Sequence, residues 1–69
     1  MKEYKTMTVT ELDRLYWESF GNMRNAKTQK EYHKGNGICL AVIYELEDRG
    51  LKTPREIADA IDKERELNA

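Results

Sequence analysis

The chain has 69 residues, 36% of them charged and 39% hydrophobic, with 12 Lys and Arg against 13 Asp and Glu. That length holds one small domain, and a domain of this size withdraws only ~60% of its unfolded surface from water, so the core is thin. The formal net charge of −1 gives no overall pull towards nucleic acid or an anionic membrane, and it is too low for the charge-driven disorder that a scarcity of large aliphatic residues would otherwise suggest.

Cys39 is the single cysteine, which excludes an intramolecular disulfide and with it a secreted, disulfide-stapled fold. Polar residues come after Met1 to Lys5, where a signal peptide would place an apolar run. The longest apolar run, Ile38 to Tyr44, is seven residues, against the ~20 that a membrane span requires. The expected compartment is the cytoplasm, with no membrane partner.

Residues 1–9 lack helical periodicity and read as an extended N-terminal arm ahead of a single helical domain over 10–69. Lys5, Met7 and Val9 alternate with Thr6, Thr8 and Thr10, the period of a short strand. Such a strand would need a partner, for instance from a second copy.

The first helix is expected over about 10–24. Thr10 serves as its N-cap, and Glu11 and Asp13 place negative charge near the positive end of the helix dipole. Leu12, Leu15, Tyr16, Phe20 and Met23 share a face at about 100° per residue. Gly21 could end the helix, but Met23 keeps the apolar register and favours the longer version.

A second helix is expected over about 28–49. Thr28 and Glu31 form a T-x-x-E capping box, Tyr32, Cys39, Val42, Ile43 and Leu46 share an apolar face that Ile38, Leu40 and Tyr44 widen, and Gly50 supplies the stop. Gly35-Asn36-Gly37 interrupts this segment at a cost of ~1 kcal/mol per glycine. A break there would leave Thr28–Lys34 too short to be stable unaided, so one helix, kinked or not, is favoured. The glycines then mark either a tolerated kink or the close approach of another backbone.

The third helix, about 54–67, has Thr53 as N-cap, Pro54 at its first position and Glu56 completing the box. Ile57, Ala58, Ile61 and Glu64 or Arg65 make a narrow stripe with Leu67 near its end, and Leu51 plugs the preceding turn. The short connections point to an all-α, up-down-up three-helix bundle. Apolar burial and ordering cost nearly cancel in a domain so small, which makes association a physical expectation.

Chemistry has little to work with. His33 and Cys39, the single histidine and single thiol, point to different faces of a continuous helix, so they make no Cys–His nucleophile pair. The ligand spacings of zinc sites are missing, and Gly35-Asn36-Gly37 has neither the preceding strand nor the spacing of a phosphate loop. No catalytic residue, metal, cofactor or small-molecule substrate is expected.

Arg24, Lys27, Lys30 and Lys34 fall within about 120° of one helical face. This stripe is either a solvated lysine face or a phosphate-contacting one. Residues 1–35 are net +2 and residues 36–69 net −3, a weak dipole.

Thr53 to Ile61 resembles the opening helix of a helix-turn-helix, yet Asp62 to Ala69 are net acidic and lack the turn glycine that would lead to a recognition helix. A ribbon-helix-helix would use Thr6 to Thr10 as the strand paired across a dimer, with Lys5 beside it and no arginine to grip guanine.

Trp17 lies at the edge of the first helix's apolar face, where it either closes the bundle or meets a partner. The expected function is a non-enzymatic protein–protein interaction module acting through Trp17, Tyr16, Phe20 and Arg24 on a larger protein or on a second copy. In size and composition it is similar to bacterial or phage accessory proteins that regulate or inhibit a larger machine. The alternative is a dimeric DNA-binding regulator using the arm, with Lys5, or the stripe of Lys27, Lys30 and Lys34.

Overall fold

Three T-x-x-E segments set where the helices begin. In a computed structural model describing residues 3–68, the chain forms a short 3-10 turn at Tyr4–Thr6 and then α1 (Val9–Arg24), α2 (Gln29–Asp48) and α3 (Pro54–Leu67). Every regular element among the described residues is helical, and none is a strand.

The first helix begins earlier than expected. Thr8, not Thr10, is the N-cap of α1. Thr8 Oγ1 accepts from the Glu11 N–H at 3.0 Å and the Thr8 N–H donates to Glu11 Oε1 at 2.9 Å, a complete capping box. Met7, the residue before the cap, packs against the cluster that contains Leu12, which sets the angle at which the chain enters the helix. The alternation over residues 5–10 is therefore no strand, and the arm is not extended as far as residue 9. The reciprocal cap satisfies two backbone donors locally, whereas an isolated strand would satisfy none.

The helix runs through Gly21 to Arg24, with the Asn25 side chain donating to the Gly21 carbonyl at 2.9 Å. At Thr28 half of the expected box forms. Thr28 Oγ1 accepts from the Glu31 N–H at 3.1 Å, but the Glu31 carboxylate accepts from the Lys27 N–H instead. At Thr53 the box is complete, with Pro54 at the first position.

α2 is continuous through Gly35-Asn36-Gly37. Gly35 is buried against α1, where an added Cβ would lie 3.0 Å from the Ser19 carbonyl oxygen and 3.1 Å from Met23 Cβ. The glycine is where the two helices cross closely, with buried Ser19 as the small residue on the other side. Gly50, at φ +80°, ends α2. Its N–H donates to the Glu47 carbonyl and the Leu51 N–H to the Leu46 carbonyl, each at 2.9 Å. These are the two hydrogen bonds of a Schellman stop, and Leu51 folds back onto the core.

The core is small. Among the described residues Val9, Leu12, Cys39, Val42 and Leu46 are the buried hydrophobics, and Leu12 and Val42 are sealed completely. Tyr4, Met7, Leu15, Tyr16, Ile38, Leu51, Ile57, Ala60 and Ile61 pack around them half-buried. α1 packs chiefly on α2, while α3 rests on α1 and contributes no fully buried residue. The stripe on α3 uses Ala60 in place of the expected Ala58, which is exposed. Residues 60, 61 and 64 lie three, four and seven positions after Ile57, the spacing of a single helical face.

Two polar clasps complete the fold. Arg49 Nε pairs with Glu45 Oε2 at 2.9 Å, and its Nη2 donates to the carbonyls of Tyr4 and Lys5 at 3.0 and 3.2 Å, tying the N-terminal turn to the end of α2. Glu64, from α3, receives the Val9 N–H at 2.7 Å, the Thr10 N–H at 2.9 Å and the Thr10 hydroxyl at 2.6 Å. Together, Glu64 and the Thr8 box provide acceptors for the first three N–H groups of α1.

Candidate protein-interaction site

Tyr16, Trp17 and Phe20 sit on one and a half turns of α1, and their rings touch in every pairing. Trp17 stands edge-on to Tyr16 with centroids 5.2 Å apart and to Phe20 at 5.9 Å, while Tyr16 and Phe20 stack at 6.1 Å. Contacts of this geometry are worth ~0.5–1.5 kcal/mol beyond the area they bury. Tyr16 and Phe20 are half-buried, but Trp17 is 60% exposed, so it does not close the bundle. Arg24, one turn further on, is also exposed.

Beside this cluster runs a groove of about 520 Å³ between α1, α2 and the start of α3. Tyr16 and Trp17 form one wall, Ile43 and Leu46 the floor side on α2, and Leu51 and Ile57 the far side. Asp13, Glu47 and Lys52 give the groove a polar rim. The groove is thus an apolar trough with a charged edge.

The basic residues are arranged differently from the expected stripe. The chain leaves α1 at Arg24 and enters α2 at Gln29, so Lys27 lies in the connection and Arg24 on another helix. Of the four, Lys30 and Lys34 alone share a helical face, because the break between the helices resets the angular register. All four are exposed, as is Lys5.

His33 is exposed, with its ring 5.7 Å from Tyr32. Cys39 is buried beneath α1, its Sγ 3.7 Å from the Tyr16 carbonyl oxygen, and burial pushes the thiol pKa up. Glu64 is the described carboxylate with a clear shift. Burial opposes its charge, but the hydrogen bonds from Thr10 and Val9, helped by the Arg49 charge, outweigh burial and hold the pKa below the ordinary value. Its three acceptor contacts are all with α1, which makes it a structural group. The spacing on α3 places Glu64 on the inward side, but no sequence signal pairs it with the start of α1.

Among the described residues no group of three or more His, Cys, Asp or Glu is placed to hold a metal ion. Nor is any helix among them long and apolar enough to cross a membrane. Comparison with protein-family models, with curated proteins and with solved structures finds no match, so a functional reading of this chain rests on its geometry.

Proposed function

We propose that this chain is a non-enzymatic interaction module, working in the cytoplasm, whose α1 aromatic face binds an apolar segment of another, larger protein. The observation that carries the reading is Trp17: in edge contact with Tyr16 and Phe20, 60% exposed, and lining an apolar groove. A rigid tryptophan bordering a trough loses little side-chain freedom on binding and buries a large area, the physical basis of a binding hot spot. An accessory or regulatory role, in which the domain occupies a surface of a larger machine, is the biological form this would take.

The scaffold matters to that role. The up-down-up course fits α1 and α2, whose facing residues run in opposite order: Gly35 against Met23, Cys39 against Tyr16. We read α3 as lying across the start of α1, because Glu64, in its last turns, reaches Val9 and Thr10. That placement leaves the middle of α1, with Trp17, uncovered. No specific observation favours the DNA-binding alternative, since neither a strand nor a single basic face is formed by residues 5–34.

The test is affinity capture from extracts of the native host with the wild-type chain and with Trp17→Ala, each checked by circular dichroism. The expected result is a captured protein lost in the variant while helicity is unchanged. Equal capture by both, or loss of helicity with the substitution, overturns the reading.

A further inference from the structure

α2 is apolar on two sides. One side, formed by Gly35, Cys39, Val42 and Leu46, is buried in the fold. At about 100° per residue, Gly37, Leu40 and Tyr44 fall on the opposite side. Leu40 is 40% exposed and Tyr44 60%. Gly37 is exposed as well, and an added Cβ there meets nothing within 4 Å. Unlike Gly35, then, it has no packing role within one copy, although a glycine inside a helix costs ~1 kcal/mol relative to alanine. An open groove of about 880 Å³, lined in part by Tyr4, Met7, Leu15, Ile38, Ala41 and Tyr44, borders the stripe. A helix with apolar residues on both sides is most stable when both are covered.

The charges on α2 indicate what covers it. Lys30 and Lys34 outnumber Glu31 in its first half, whereas Glu47 and Asp48 lie at its end beside Glu45, which is paired with Arg49. Such a helix is complementary to its own reversed copy. Antiparallel pairing centred between Leu40 and Ala41 brings Gly37 level with Tyr44 of the second copy, so that a large ring meets the one position without a side chain. In the same register Lys34 comes within one residue of level with Asp48 of the second copy, on the same flank of the pair. Two-fold symmetry makes each contact twice.

One copy presents 5602 Å², about a quarter more than the roughly 4,500 Å² expected for a folded chain of this mass. The exposed Leu40 and Tyr44 of α2 contribute to that open surface.

We propose that this chain self-associates through the Gly37–Leu40–Tyr44 face of α2, antiparallel, with a second copy as the occupant. This interface lies apart from the α1 aromatic face, so the two readings stand or fall separately.

The experiment is sedimentation equilibrium of the full chain over a range of concentrations. The mass should rise from 8.1 kDa towards twice that value. Leu40→Glu should hold it at the single-copy mass with helicity intact, because Leu40 is outside the core. Lys34→Asp and Asp48→Lys should each raise the dissociation constant roughly tenfold, about 1.4 kcal/mol, and the double variant should restore it. Trp17→Ala should leave the mass unchanged. A wild-type chain that stays at one copy throughout overturns the proposal. So does association indifferent to Leu40→Glu, a charge swap that fails to restore it, or its loss in Trp17→Ala.

Discussion

Replacing Glu64 tests whether α3 is held to α1 by a charge at a helix start. Three donors converge on this carboxylate at 2.6 to 2.9 Å. Losing an N-terminal cap costs ~0.5–2 kcal/mol, and an anion at a helix N-terminus is worth ~0.3–1 kcal/mol more. Glu64→Ala removes both and leaves the Val9 and Thr10 N–H groups without their acceptor, so its expected cost is about 2 kcal/mol. Glu64→Gln keeps an acceptor and loses the charge, for about 1 kcal/mol.

Total stability for a chain this long is roughly 3–10 kcal/mol, and 1 kcal/mol moves the midpoint of a small domain by ~4–8 °C. The alanine variant should therefore melt ~8–16 °C below wild type, and the glutamine variant about half that. Because the folded pKa of Glu64 lies below its unfolded value, the charge contributes stability above the ordinary carboxylate pKa of about 4.3. That contribution fades as pH falls through the folded value. The gap between wild type and Glu64→Gln should thus be full at neutral pH and close in acid. Thermal melts followed by circular dichroism across that range decide the matter. A gap independent of pH, or an alanine variant as stable as wild type, refutes the reasoning.

Gly35→Ala should destabilise by about 1–3 kcal/mol, because its Cβ would press on Ser19 and Met23 of α1, while Gly21→Ala, with open space around it, should stabilise by up to ~1 kcal/mol; denaturant titrations of both distinguish a packing glycine from a merely tolerated one. Cys39 should react with a thiol reagent at least ~100-fold more slowly in the native protein than in denaturant, since access requires opening of the core; equal rates would contradict its burial. Arg49→Ala should cost about 1–2 kcal/mol through its lost carbonyl contacts. Hydrogen exchange should then speed up selectively at Thr6 and Met7, whose N–H groups bond within the turn that Arg49 holds.

The helical class and the approximate course of all three helices can be read from the sequence because capping residues and apolar spacing are local signals. Thr53-Pro54-Arg55-Glu56 and Gly50-Leu51 act within a few residues, and they form as their types dictate. The start of α1 is ambiguous for the same reason, since Thr8 and Thr10 are both sound caps and only Glu11 reaching back selects Thr8. What is not legible is anything that joins distant segments. Nothing in the neighbourhood of Glu64 announces that its carboxylate belongs to Val9 and Thr10, and nothing beside Arg49 points to the Tyr4 carbonyl. The basic stripe fails because a single angular register does not carry across the connection at 25–28. Trp17 is the intermediate case: spacing puts it at the edge of the apolar face, but its exposure depends on where α3 lies.

The central claim is an aromatic face of α1 that one copy of the chain leaves open. Trp17 is the sole tryptophan, so its fluorescence reports that face without labels. In the purified, folded chain it should emit as a solvent-exposed indole and be quenched readily by iodide at every concentration, with quenching suppressed once the captured partner is added. Blue-shifted emission that iodide cannot reach in the chain alone would contradict the claim.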